Sequence, residues 1–116
     1  MRHLKKGRKF HRIKGRRNSF LNGLVCNLIV REKIETTEAR AKEIKPLVEK
    51  NITMAKKQNL AALRILLARI NKAAAQKLYY QIAPRYMERK GGYLRIIKMA
   101  RARKNDGSKM AVIEFV

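Results

Sequence analysis

The spacing of apolar residues changes along this chain, and each change marks an element. From Asn18, the residues Phe20, Leu21, Leu24, Val25, Leu28 and Ile29 recur at helical spacing. Asn18 or Ser19 is placed to cap the first free amides. Cys26 flanks the apolar face, which suits a packed, inert thiol. Lys33 to Thr37 is short, alternating and β-branched at three positions, as in a single edge strand. Thr37 then caps a second helix, with Glu38 in its first turn, where the helix dipole favours negative charge. Ala41, Ile44, Val48, Ile52 and Ala55 form the buried stripe of this helix. Pro46 lies within it and removes one amide donor, so a kink or break is expected near Lys45. Asn59 opens a third helix with Leu60, Leu63, Leu67 and Ile70 on one side. Asn71 opens a fourth with Ala75, Leu78 and Ile82, and Pro84 ends or bends it.

Gly91-Gly92 signals a turn, and the period shortens after it. Tyr93 to Lys104 reads as a strand and Met110 to Val116 as its return. Asp106-Gly107 supplies a two-residue hairpin signal. That turn sets Ala111, Ile113 and Phe115 opposite Ala102, Ala100 and Lys98. It leaves Arg101 and Arg103 together on the other face. The order is α-β-α-α-α-β-β, an α+β class with helices packed on one face of a small mixed sheet. Residues 1–15 lack any period and are interrupted by Gly7 and Gly15. They read as an extended basic arm, ordered on its partner, preceding a single globular α+β domain over residues 16–116.

Charge narrows the function. Thirty Lys and Arg stand against eight Asp and Glu in 116 residues, a net charge of +22, while 46% of residues are hydrophobic. A core is therefore within reach, and self-repulsion would be relieved by a dense polyanion. Residues 1–17 hold nine Lys/Arg and no acid, whereas residues 32–49 hold five of the eight acids against four bases. The middle segment should therefore repel RNA and face solvent or a basic protein, while the head binds nucleic acid. The longest apolar runs fall far short of the roughly 20 residues needed to cross a bilayer. The start of the chain has no apolar run of the secretory type. One cysteine excludes an internal disulfide, and no cluster has metal-ligand spacing. No small-molecule substrate, cofactor or catalytic constellation is indicated. Arg85-Tyr86, Arg89-Lys90 and Tyr93-x-Arg95 interleave cations with aromatics around the Gly-Gly turn. Those tyrosines either stack on unpaired bases or anchor the turn on the core.

Met1-Arg2-His3, Gly7-Arg8-Lys9, Lys33-Ile34 with Thr36-Thr37, and Ala41-Lys42-Glu43 come in a familiar order. Ile52-Thr53-x-Ala55-Lys56, Ala83-Pro84-Arg85-Tyr86, Arg89-x-Gly91-Gly92-Tyr93 with Arg95-Ile96, and Met110-Ala111-x-Ile113-Glu114 follow. The ordered set resembles the bacterial large-subunit ribosomal protein family numbered seventeen. The resemblance implies a non-catalytic, cytoplasmic constituent of the large ribosomal subunit, near the peptide exit tunnel. Ribosomal RNA and neighbouring large-subunit proteins would be its partners. The candidate rRNA-binding residues are Arg2, His3, Lys5, Lys6, Arg8, Lys9, His11, Arg12, Lys14, Arg16 and Arg17 in the arm and just after it. Arg85, Tyr86, Arg89, Lys90, Tyr93, Arg95, Arg101 and Arg103 join them from the turn and hairpin. The competing reading is a small basic DNA-binding protein of the nucleoid type. Against it, the cations are spread over arm, turn and hairpin rather than along one groove-sized helix.

Overall fold

The computed structural model describes residues 3–116. Helix α1 spans Lys14–Arg31, strand β1 Lys33–Thr37, helix α2 Glu38–Ala55, helix α3 Leu60–Arg69 and helix α4 Lys72–Lys77. Strands β2, Leu94–Ala102, and β3, Lys109–Phe115, complete the α+β order expected from the sequence. No helix is long and apolar enough among the described residues to cross a membrane.

Three caps set three helix starts. The Thr37 hydroxyl accepts from Arg40 N, the Asn59 side chain from Ala62 N and the Asn71 side chain from Ala74 N. Each satisfies an amide that has no partner within its own helix. The start of α1 differs from expectation. It begins at Lys14 rather than near Asn18, after Ile13, with no side-chain cap. Arg17 holds this extra turn, its amide donating to Ile13 O and its guanidinium to Arg12 O.

Helix α2 is the hub, packed against α1, α3 and all three strands. Its stripe of Ala41, Ile44, Val48, Ile52 and Ala55 is completely buried. The helix runs unbroken through Pro46, which lies on the exposed side. Water there can solvate the carbonyl that loses its amide partner. Pro84 is also accommodated. Helix α4 widens into a π-helical turn at Leu78–Ile82 and then tightens into a 3₁₀ turn at Ala83–Tyr86. Such changes of pitch relieve a proline that a regular α-helix would exclude. Helix α3 buries Ala62, Leu66 and Ile70, leaving the expected core residues Leu60 and Leu67 exposed. Apolar residues occur all round this helix, so periodicity alone does not select its inner face.

The sheet order is β1-β3-β2, and both pairings are antiparallel. Strands β1 and β2 run the same way but are separated by β3, so the mixed pairing expected of the sheet does not occur. Ile34, Ile113 and Ile96 form one row toward the helices, and Lys33, Glu114 and Arg95 form the neighbouring row on the outer face. The hairpin register differs from the sequence expectation. Phe115, Ile113 and Ala111 oppose Leu94, Ile96 and Lys98, and a bulge between Lys98 and Ala102 shifts the pairing before the tip. The apolar row governs, because it places Leu94 and Ile96 beside the buried Ile113. The tip is a wider loop over residues 103–108, with positive φ at Gly107 alone among its residues, not the two-residue turn expected from Asp106-Gly107.

Candidate nucleic-acid interface

The arm folds back on the first helices. Phe10 meets Phe20 of α1 edge-on, with ring centroids 5.7 Å apart. The Arg12 guanidinium lies 3.9 Å from the Phe20 centroid, and that of Arg40, from α2, lies 4.9 Å away. Both main chain and side chain of Arg8 bond Glu43 on α2, the latter at 3.0 Å. Gly7 makes this approach with φ +104°, a backbone conformation that favours glycine, while a β-carbon there would only touch the Glu43 carboxylate, at 3.4 Å.

A cleft of about 650 Å³ opens between this arm, the first turn of α2 and the hairpin tip. Arg8, His11, Arg12, Arg40, Lys42, Arg103 and Lys109 line it, and Glu38 is the sole acid on its wall. The tip holds its arginine firmly. Arg103 Nη2 donates to Asp106 Oδ2 at 2.7 Å and to Ser108 Oγ at 3.1 Å. The Ser108 amide bond to Asp106, with help from Arg103, keeps the Asp106 carboxyl below its usual range. Arg40 shows the sign of the local field. Its guanidinium is held below its ordinary pKa by burial, then by Arg103 and Arg12. Three cations thus crowd one wall, where an anion would be favoured.

The remaining sequence candidates separate into two groups. Lys5, Lys6, Lys9 and Arg17 surround a second hollow beside Arg8 and Glu43. His3, Lys14 and Arg16 are exposed nearby. Arg2 lies outside the described residues. The other group is tied to acids or built into the core. Arg85 pairs with Glu32, Arg95 with Glu114 at 2.8 Å, and Arg101 with Glu35. The Glu32 contact raises the Arg85 pKa and lowers that of Glu32. Arg85 and Arg95 therefore do not converge on the Gly-Gly turn, and Arg103 lies in the tip rather than on a strand face with Arg101. Arg89 donates from Nε to Gly91 O, and Lys90 is exposed beside the turn.

Tyr86 and Tyr93 are 4% and 2% exposed, with ring centroids 5.3 Å apart. Tyr86 donates to Val116 O at 2.8 Å, and burial pushes its hydroxyl pKa up. Lys56 Nζ donates to Tyr93 Oη at 2.9 Å and also bonds Arg89 O. The Tyr93 amide donates to the Glu49 carboxylate at 3.2 Å. The rings thus anchor the turn and leave no open face for a base.

Sequence reasoning missed Arg40, Lys42 and Lys109. The first two sit in the segment rich in acids, which the fold nonetheless brings beside the arm. Seven of the eight acids bond groups in other parts of the chain or in their own turn; Glu88 alone makes no such contact among the described residues. The acids of the middle segment thus tie the arm, the Gly-Gly turn and the hairpin to the rest of the fold.

The family described as ribosomal protein L17 matches residues 20–116. Large ribosomal subunit protein bL17 of Persephonella marina is 48% identical, over 100% of this chain and 95% of its own length. The bL17 proteins of Shouchella clausii and Orientia tsutsugamushi are 46% and 49% identical. Those alignments cover 93% and 100% of this chain and 97% and 80% of the relatives. A family match over residues 20–116 and relatives nearly half identical along most of their length show that the chain belongs to the ribosomal protein L17 family.

Proposed function

We propose that this chain is a structural constituent of the large ribosomal subunit, binding ribosomal RNA through the arm and the arm–α2–hairpin cleft. The crowding of Arg12, Arg40 and Arg103 carries the reading, because a phosphate backbone supplies the charge that this wall lacks. Arg8, held by Glu43, and Arg103, held by Asp106, present further donors from fixed positions. Fixed arginines suit phosphate, which accepts two parallel hydrogen bonds from one guanidinium. Lys5, Lys6 and Lys9 extend the same field along the arm. The work of the chain is positional, without catalysis, and its setting is the cytoplasmic ribosome.

Its place near the peptide exit tunnel, beside other large-subunit proteins, follows from family resemblance. Tyr86 and Tyr93 enter as supports of the Gly-Gly turn, from which Arg89 and Lys90 reach outward. A tagged full-length chain in native lysate is expected to sediment with large subunits and to cross-link to rRNA from Arg12 and Lys109. Sedimentation with nucleoid DNA or with membranes, at salt concentrations that keep ribosomes intact, would refute the reading.

A further inference from the structure

A second groove, on a different side of α2, is built from other chemistry. It encloses about 710 Å³ between α1, α2 and the end of α3. That volume lies within the range of small-ligand sites, roughly 300–1,000 Å³. Its apolar lining comes from Leu21, Val25, Leu47 and Ile70. Its polar groups are the amides of Asn18, Asn22 and Asn51 and the Ser19 hydroxyl. Asn51 is the informative residue. It stands in the middle of α2, 7% exposed, beside the fully buried Ile52. Its amide makes no hydrogen bond to the described residues, and its polar atoms reach solvent at the groove. Asparagine is a poorer helix former than leucine, so an amide at this position is not explained by helix stability. The fold thus keeps a solvent-accessible amide donor and acceptor in the lining of a groove that is partly apolar.

Two cations complete the lining. Lys50 and Arg69 line this groove and also the neighbouring depression that leads to Lys90 and Gly91. Neither forms an ion pair among the described residues. Apolar side chains, an amide and two cations without ion pairs, all in one lining, match the parts of one nucleotide. The base takes the walls and the amide edge, and the phosphates take the cations. Asparagine can meet a base edge with two hydrogen bonds, and unpaired RNA bases are read in this way.

We infer that the α1–α2–α3 groove holds one unpaired RNA base, read by Asn51 and Asn22, with the adjoining phosphates on Lys50, Arg69 and Lys90. The inference rests on the rRNA-binding reading but uses a site separate from the arm cleft. Positive charge favours RNA over a basic protein segment as the occupant.

The test uses the full chain with four ribo-homopolymers, rA, rC, rG and rU, each eight nucleotides long, and with large-subunit rRNA. Wild type should prefer one homopolymer by about tenfold, within the range that one bidentate contact discriminates. Asn51→Leu should erase that preference without changing the salt slope of rRNA binding. Asn22→Ala, at an exposed position that leaves the core intact, should weaken the preference too, so an unstable Asn51→Leu does not end the test. In assembled subunits, cross-linkers placed at Asn22 should capture RNA. A wild type that binds rRNA yet ranks the homopolymers equally would overturn the inference and leave the proposed function standing. Variants that keep the full preference would overturn it, as would Asn22 cross-links that capture protein alone. A wild type that binds no rRNA would instead overturn the proposed function, and this inference with it.

Discussion

Replacing Arg40 by glutamine should weaken RNA binding while relieving the folded protein of electrostatic repulsion. Arg40 and Arg12 both lie on Phe20, so their guanidinium carbons are at most about 9 Å apart. Two unit charges at that distance repel by ~0.5 kcal/mol at the dielectric of water and by ~2 kcal/mol at an effective dielectric of about 20. Arg103 adds to this repulsion. Against the gain stands the cation–π contact with Phe20, worth about 0.5–1 kcal/mol at an exposed site. The two nearly cancel at moderate salt, and ionic strength separates them. At about 0.01 M salt the Debye length is about 30 Å and repulsion acts in full. At about 1 M it is about 3 Å and the pair is screened. Arg40→Gln should therefore gain stability relative to wild type on going from high to low salt, by ~0.5–2 kcal/mol. Urea melts of both proteins at the two salt concentrations measure this directly. Removing one phosphate contact should also lower the slope of log K against log salt by about 0.7–0.9. A variant whose relative stability ignores salt would show that the crowding argument is wrong. An unchanged binding slope would remove Arg40 from the interface.

Tyr93→Leu should lower stability by about 1–3 kcal/mol, through the lost hydroxyl bond to Lys56 and imperfect refilling of a buried site. RNA affinity of the protein that remains folded should hold; a fall in affinity with no change in Tm would instead mean that the ring stacks on a base. Glu32→Gln tests the clasp that joins the end of α1 to Arg85 and Lys77. The Glu32 carboxyl is held below the ordinary value of 4.5 chiefly by Arg85, so its stabilisation is complete above that value and lost as pH falls through the lower, folded one. Tm measured from about pH 6 to about pH 2 should fall less steeply in the variant over that acid limb; superimposable curves would show that the clasp contributes nothing.

What could be read from the sequence was local. Thr37, Asn59 and Asn71 each cap a helix because their side chains act within three residues, and the bounds of β1 follow from five alternating positions. The stripe of α2 was equally plain, since only one face of that helix is apolar. The failures share a cause. The face of α3 and the register of the hairpin depend on which partner surface is present, and neither is encoded within a window of ten residues. Leu94 and Ile96 choose their row by packing against helices distant in sequence. Pro46 and Pro84 are tolerated because one faces water and the other follows a widened turn, and the residue type alone reveals neither circumstance.

The candidate interface was half legible for a related reason. Counting charge by segment finds the arm, because nine bases in the first 17 residues, without an acid, have no local partner. It misplaces the middle of the chain, because a carboxylate neutralises whatever the fold sets beside it. Glu32, Glu35 and Glu114 reach Arg85, Arg101 and Arg95 across long stretches of chain. Each such pair is worth little in stability, about 0–1 kcal/mol when exposed. The larger effect of these three pairs is to balance arginines that do not line the cleft, whereas Arg8 and Arg103, though paired with Glu43 and Asp106, stay on its wall. Glu38 stays ionised, its carboxyl pulled down chiefly by Lys42, and that ion pair balances its charge within the first turns of α2. Arg40 forms no ion pair among the described residues, and the pull of Asp106 is smaller than the push of Arg103 and Arg12. A large net charge thus resolves into arginines that hold the fold together and a smaller set left open to phosphate. That division depends on where eight carboxylates land, which the linear order of charges does not contain.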